Sequence, residues 1–492
     1  MNQLHPLDSR SQRVRKVPDP DGALAGTPSL QAGPGSAREQ TVLMLQGPAS
    51  GFWSVLGSTF TAAGMRLIHV NLALGDWLFW RAGGKRLNYR GRLEDWEHWL
   101  EALVEREGVT DILYFGDRLP YHQAAQRIAL RREGLRVWAV ENGYLRPNWI
   151  TLEPFAMGRH SRFTRDPETL RYLAAEAAEK HPEAPSRKPA FGHPFAVEAF
   201  CEVTFNLAQV FGRVAFPRYF SDKAVWPVVE YLGWLPRIWN SRKVRRHARR
   251  VERDFVAGKT PSVLVALQLE TDYQIRASSD YTSQREMLEE VITSFARSAP
   301  GDMRLVIKVH PFDPGLINWG KVAARIASRA GVAGRVATIR GGNLTAMTQA
   351  AHGVITTNST SGVLALSVGC PVRVMGDAVY DIEGLTHRGP LDQFWTAPQR
   401  PDPELFDAWS RAAAAWIQMR GSLFDPRGQR AAAREIVERV RNHRHYWQTW
   451  RDPAAAGAST PCAPAAVTAP SGRDAARERR PRAKAEKTIA TH

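Results

Sequence analysis

The sequence predicts an α/β protein: two Rossmann-like parallel sheets facing a cleft, with a helical insertion between them and disordered arms at both ends. Three observations predict it. Short apolar runs alternate with longer segments of helical period. The alternation occurs twice, over residues 40–160 and 261–400, around a mostly helical stretch at 161–260. The 492 residues, 43% of them hydrophobic, suffice for two or three buried cores.

Residues 1–39 are polar and rich in Pro, Gly and Ser, the composition of a disordered arm. The first α/β set follows, with strands expected at TVLMLQG (41–47), RLIHVNL (66–72), DILYFGD (111–117) and RVWAVENG (136–143). LEDWEHWLEALVEREG (93–108) has helical period between them. In the 161–260 insertion, the aromatic-rich AVWPVVEYLGWLPRIW (224–239) precedes the basic SRKVRRHARRVERDF (241–255). Such a pair either packs by its Trp and Leu face or lies on anionic lipid. The second set expects strands at SVLVALQL (262–269), RLVIKVHP (304–311), VATI (336–339), GVITTNS (353–359) and PVRVMG (371–376). Helices are expected at 285–299 and 344–351. Helices at 401–452 and a disordered basic tail at 453–492 complete the chain. Strand–helix–strand order at this spacing gives a parallel sheet, whose ligands bind at the carboxyl ends of the strands.

Lys and Arg number 66 against 49 Asp and Glu, a formal charge of +17, which favours a polyanionic partner. Nucleic acid is set aside, because no helix-turn-helix, zinc or RNA-recognition framework surrounds the basic runs. The three cysteines, Cys201, Cys370 and Cys462, form no CxxC pair, so neither a disulfide framework nor a structural zinc is expected. The N-terminus has no apolar core of signal-peptide length, and no run reaches the ~18 apolar residues of a membrane helix. A cytoplasmic protein, peripheral at the inner face of the inner membrane, is the expectation.

The motifs with chemical content fall at the predicted strand ends. Lys308-Val309-His310-Pro311 closes a strand; Pro311 stops the sheet, and His310 is either an ordinary turn residue or a donor to a phosphate oxygen. Asn358-Ser359-Thr360-Ser361-Gly362 lies between a strand and a helix. There Ser and Thr either cap the helix or, with backbone N–H groups, cradle an anion. Gln268-Leu269-Glu270-Thr271-Asp272 brings a carboxylate, Asp272, to a strand end, as a turn cap or a group facing the cleft. Glu141-Asn142-Gly143-Tyr144-Leu145-Arg146-Pro147 brings Glu141 and Arg146 to the same cleft from the first set. Two carboxylates, a His and a phosphate site are the parts needed for glycosyl transfer with retention, and basic residues would hold an acidic sugar. No DxD motif follows a strand, so no metal and no cofactor are expected.

ENGYLRPNWIT (141–151), LQGP (45–48), GDW (75–77), YRG (89–91), FGD (115–117), ALQLETDYQI (266–275), KVHP (308–311), TNSTSG (357–362) and YDIEGLT (380–386) resemble the KpsS/LipB capsule polysaccharide proteins over about residues 41–450. The resemblance implies a GT-B-like retaining transferase. Its donor would be CMP-β-Kdo, the activated form of an eight-carbon 2-keto sugar acid. Its acceptor would be a lyso-phosphatidylglycerol-type lipid on an anionic inner-membrane surface. A companion Kdo transferase and a capsule exporter are the implied partners. Asp272 is then the nucleophile, Glu141 the acid/base and His310 the group on the leaving phosphate. Lys308, Asn358, Ser359, Thr360, Ser361 and Gly362 form the nucleotide site, and Gln268, Gly47, Asp76, Asp117 and Arg146 contact substrate. This chain has Asn142 where the family commonly has a second Glu. It also has Arg118 one position early in the family's GDxRP pattern. A non-catalytic export or assembly protein that binds the lipid-linked polymer is the alternative, and a transferase using CMP-sialic acid is the alternative within the enzyme class.

Overall fold

The structure is a computed structural model and describes residues 40–180, 185, 188, 190–192, 195–221, 241–270 and 279–442. The described residues from Gln40 onward belong to one compact unit. Its strands are β1 (Thr41–Met44), β2 (Arg66–Asn71), β3 (Lys85–Asn88), β4 (Asp111–Phe115), β5 (Arg136–Asn142), β6 (Trp149–Pro154), β7 (Ser262–Ala266), β8 (Arg304–Val309), β9 (Val336–Arg340), β10 (Gly353–Thr356), β11 (Val372–Val374) and β12 (Gln418–Arg420). Its helices are α1 (Phe52–Ala62), α2 (Leu74–Phe79), α3 (Leu93–Glu107), α4 (Pro120–Arg131), α5 (Pro167–Lys180), α6 (Phe195–Phe211), α7 (Ser241–Val256), α8 (Gln284–Ser298), α9 (Trp319–Arg329), α10 (Leu344–Ala350), α11 (Ser361–Ser367), α12 (Leu391–Phe394), α13 (Pro403–Trp416) and α14 (Pro426–Arg441).

Two sheets form. The second has the order β11-β10-β7-β8-β9 and is parallel throughout. The first has the order β12-β6-β5-β4-β1-β2-β3; β3, β2, β1, β4 and β5 are parallel, and β6 runs antiparallel to both β5 and β12. Each parallel core therefore reverses strand order once, between β1 and β4 and between β7 and β10, and a crevice opens at such a reversal. Side chains alternate between the faces as a strand requires: Val263 and Val265 enter one core cluster with Leu305 and Ile307, while Leu264 enters another with Val306.

Every strand expected from the sequence is present. Three more form without a clear signal in the sequence. β3 reads KRLN and is mostly exposed at the sheet edge, so it carries no apolar run. β12 is three residues long. β6 lies only a short turn beyond β5, too close for a helical crossover, and so pairs antiparallel. The first sheet thus draws a strand from the C-terminal segment. Gln418 fixes it there, donating to Thr151 Oγ1 (2.8 Å) and accepting from Tyr144 N (2.7 Å). Helix ends follow local chemistry: Asp402 and Asp425 accept from the backbone N–H groups of the first turns of α13 and α14, each with Pro at its start. Gly108 ends α3 in the left-handed region, φ 61°. The aromatic-rich 224–239 stretch lies outside the described residues. The basic 241–255 segment is α7, which packs on β9 by Ala248 and Phe255. Among the described residues no helix is long and apolar enough to cross a membrane.

The carboxyl ends of the two sheets meet. Leu145, Trp149, Phe163 and Leu170 share a core cluster with Val354, Val363 and Tyr380. Arg159, beyond β6, pairs with Asp377 (3.2 Å) and Asp280 (3.5 Å) on the side of the second sheet, and Arg165 lies 3.8 Å from Asp377.

Candidate active site

The β7–β10 crevice is built first by glutamines. Leaving β7, Gln268 has both backbone groups held by the buried Gln284 side chain: Gln268 N donates to Oε1 (2.7 Å), and Nε2 donates to Gln268 O (2.8 Å). Its own side chain then grips Asn358, donating to Oδ1 (2.7 Å) and accepting from Asn358 N (3.1 Å). The two predicted strand ends are thereby locked together across the strand-order reversal. Glu270 Oε2 accepts from Gln284 N (3.1 Å). Residues 271–278 lie outside the described residues, Asp272 among them.

The turn that follows differs from the expected backbone cradle. Asn358 N is taken by Gln268, Ser359 N by Thr356 Oγ1 (3.4 Å), Ser361 N by Ser359 Oγ (3.2 Å) and Gly362 N by Ser359 O (2.9 Å). These N–H groups are consumed in shaping the turn. Ser359 and Thr360 remain partly exposed, while the buried Ser361 Oγ has no hydrogen-bond partner. Gly362 has a steric reason. A Cβ there would overlap the ring and hydroxyl of the buried Tyr380, which donates to Ser359 O (2.5 Å). The TNSTSG and YDIEGLT motifs are one packed unit. Gly362→Ala is expected to destabilise the protein by about 1–3 kcal/mol through overpacking, read as a lower midpoint in urea with an unchanged m-value.

His310 follows β8, the strand that pairs with β7 in the same sheet. Its Nδ1 accepts from Phe312 N (3.2 Å), which leaves Nε2 as the N–H donor of a neutral ring. Burial, then the Arg146 charge, lowers its pKa to about 4, with Lys308 adding to the effect against Asp313. The influence of Arg146 on His310 ties the first sheet's 143–148 loop to the second sheet's strand end. Lys308 is buried on β8, and burial lowers its pKa against the opposing pull of Glu252 on α7.

The first-sheet residues divide into those that build and those that face the cleft. Gly47 admits the Trp53 ring, whose Nε1 donates to Leu45 O (2.8 Å); a Cβ at 47 would overlap it. Asp76, expected to contact substrate, is instead buried. Its Oδ2 accepts from Leu72 N and Ala73 N (both 2.9 Å) and from Gln46 Nε2 (3.1 Å), so this carboxyl serves the β2–α2 loop. Asp117 is also buried: Oδ2 accepts from Met157 N (2.9 Å) and pairs with Arg118 (3.1 Å), whose Nη2 also reaches Gln126. Gly116, at φ 70°, makes this turn possible. Glu141 is partly exposed at the end of β5; Oε1 accepts from Asn142 N (2.9 Å) and Nδ2 (3.1 Å), and Oε2 lies beside Gly116. Asn142 thus occupies itself with Glu141. Gly143 allows the 2.7 Å bond from its N to Trp149 O, where a Cβ would collide with the Trp149 backbone. Arg146 Nε donates to Gly143 O (3.3 Å).

Two first-sheet residues of consequence carried no motif. Arg159 makes the ion pairs across the cleft described above. Glu153 is a lone acid inside the apolar strand WITLEP, which was its one visible signal. It is buried, accepts from Tyr144 OH (2.7 Å) and bonds Ser161 Oγ, and so ties the 141–147 turn to the segment that bears Arg159. Burial, assisted by the Asp117 charge, pushes its carboxyl up to about 7, and burial does the same to Asp76. The folded state therefore keeps these protons to higher pH than the unfolded chain. Their contribution is fully present below the ordinary carboxyl range and is lost as pH rises from about 4.5 to about 7. Glu153→Gln, which imitates the protonated acid, should flatten part of the fall in melting temperature between those pH values.

Among the described residues no cluster of three or more His, Cys, Asp or Glu is placed to hold a metal. Two doubly wound sheets whose carboxyl ends meet at a polar crevice define a GT-B-like α/β protein. Within that class, the chain belongs to the family described as "Capsule polysaccharide biosynthesis protein", whose model matches residues 110–424. It is 34% identical over 367 residues to the "Capsule polysaccharide export protein KpsS" of Escherichia coli, covering 74% of this chain and 92% of that protein. It is 30% identical over 400 residues to the "Capsule polysaccharide modification protein LipB" of Neisseria meningitidis serogroup A, covering 78% and 92%. The resemblance expected from the motifs is thus borne out. Among solved structures, it is similar to the "KpsC, beta Kdo 2,7 transferase" of Thermosulfurimonas dismutans, with a TM-score of 0.39 and 16% identity over 82% of this chain and 99% of that one.

Proposed function

We propose that this capsule biosynthesis protein is a retaining glycosyltransferase that moves Kdo from CMP-β-Kdo to a lipid acceptor of the lyso-phosphatidylglycerol type, starting the sugar linker of a capsule. The observation that carries the reading is the strand-order reversal where Gln268 grips Asn358 ahead of the Ser359–Ser361 turn, with His310, influenced by Arg146, at the end of β8, the strand beside β7.

The donor phosphate sits against the hydroxyls of that turn and accepts the Nε2–H of His310, and Arg146 offsets its charge. Asp272 follows Glu270 by two residues in the sequence. Its carboxylate attacks the anomeric carbon; a carbon–oxygen bond forms to the enzyme as the bond to the phosphate oxygen breaks, and CMP departs with the electron pair. The acceptor hydroxyl then displaces Asp272 from the opposite face as Glu141 takes its proton, so the configuration is retained. CMP is already a good leaving group, and placement and charge stabilisation are the protein's main work. No metal and no other cofactor take part. The protein works at the inner face of the inner membrane, with a companion Kdo transferase and a capsule exporter as partners.

The test is CMP release and lipid glycosylation with CMP-Kdo, set beside CMP-sialic acid. CMP-Kdo is expected to be consumed and CMP-sialic acid spared. The opposite preference would place the protein among sialic-acid-type transferases. Binding of the lipid-linked polymer with no turnover of either donor would make it a non-catalytic export or assembly component, the role that the name of the Escherichia coli relative carries.

A further inference from the structure

α6 is unusual for a surface helix. Its outward side is apolar: Phe200 is 71% exposed and Phe211 74%, with Val197 and Val203 exposed on the same side and Leu207 partly exposed between them. At 100° per residue these five side chains fall within one third of the helix circumference. That arc carries no charge, and Thr204 is its one polar side chain. Val214, 95% exposed in the turn just after the helix, continues the row. Isolated exposed apolar residues need no explanation, but an uncharged row of this length on a helix does.

The other side of α6 is firmly seated. Phe205 packs against Gly75 and Phe79, Gly212 abuts Leu74, and Tyr219 donates to Gln46 Oε1 (3.2 Å) and stacks on Tyr121. The row is therefore carried by the 45–48 and 72–79 segments, at the carboxyl edge of the first sheet. Trp77, on α2 beneath α6, is also exposed, and Arg86 lies over its ring (5.7 Å). Arg81, Arg213 and Arg218 are exposed nearby in the chain, so these elements carry four arginines against Glu198 and Glu202 of α6.

We propose that this face docks on an anionic phospholipid bilayer, with the Phe200–Val214 row entering the headgroup layer and the arginines meeting lipid phosphates. An apolar row, an amphipathic Trp and an excess of Arg are the features by which an interfacial helix holds an anionic membrane. The docking rests on the transferase reading only in its consequence: a lipid-borne acceptor then approaches the cleft along the first sheet's edge.

The experiment is co-sedimentation of the full chain with vesicles of phosphatidylcholine plus phosphatidylglycerol, and with phosphatidylcholine alone. Binding is expected to the anionic vesicles. The triple variant Phe200→Glu/Phe211→Glu/Val214→Glu should lose at least about tenfold in partitioning. Leu316→Glu and Val368→Glu, exposed apolar sites elsewhere, should lose nothing. Wild-type binding by a triple variant with an unchanged melting temperature would overturn the assignment. So would a sharp drop in that temperature, which would mean that the row is covered by another part of this chain. CMP release from CMP-Kdo with a soluble short-chain lyso-phosphatidylglycerol as acceptor, and no vesicles, separates the two proposals: absence of turnover in the wild type, with partitioning intact, removes the transferase reading and leaves the docking face standing.

Discussion

Asp272→Ala is expected to lower sugar transfer by about 10⁴-fold or more, while CMP still protects the variant against thermal unfolding. The two outcomes separate because donor binding and bond breaking rest on different groups. In the proposed mechanism the nucleotide phosphate is held by the Ser359–Ser361 hydroxyls, His310 and Arg146, whereas the bond to the anomeric carbon needs one carboxylate. The Gln284–Gln268–Asn358 lock is built from side chains other than Asp272, so the crevice persists in the variant. Asp272→Asn should be nearly as inactive, because an amide is a poor nucleophile of almost the same shape. Activity of Asp272→Ala within tenfold of wild type would end the double-displacement mechanism.

His310→Ala is expected to cost roughly 10²- to 10³-fold in kcat/KM, the effect of removing one preorganised donor from a developing anion. His310→Gln, which keeps an N–H donor, should recover much of it. The pH dependence identifies the mode of action. The free ring has its pKa lowered to about 4, and Phe312 N already donates to its Nδ1. The proposed mechanism accordingly uses it as a neutral donor, and no limb near 6.5 should appear in kcat/KM from about pH 5.5 to 8. Protonation of Nδ1, as pH falls toward 4, would break the bond from Phe312 N and disturb the turn. A fall in kcat/KM centred near the ordinary histidine pKa of about 6.5 that vanishes in His310→Gln would instead make His310 a titrating acid.

The strand ends were legible because buried parallel strands are apolar runs closed by Gly, Pro or polar residues. β8 and β10 stop directly before His310 and Thr357, and β7 one residue before Gln268, so polar residues mark these strand ends in the sequence. What the residues at those ends do was less legible. TNSTSG reads as a row of N–H groups for an anion, yet Gln268, Thr356 and Ser359 already take several of them; that outcome depends on side chains up to 90 residues away. GDW reads as a cleft acid, but Gln46 and two backbone N–H groups claim Asp76. A sequence shows which residues carry charge, not which are already engaged. β3, β6 and β12 were illegible for a related reason: short or polar strands owe their existence to neighbours in the sheet. Glu153 and Arg159 acquire meaning only when β6 brings the 155–165 segment against the second sheet.

A covalent bond between enzyme and sugar is the central step of the proposed mechanism. The direct measurement is the intact mass of the protein after mixing with CMP-Kdo and no acceptor. The prediction is a species heavier by one sugar residue in the wild type, absent from Asp272→Ala, and discharged when a lipid acceptor is added. Stoichiometric CMP release from a wild-type protein of unchanged mass, or an adduct that survives in Asp272→Ala, would contradict it.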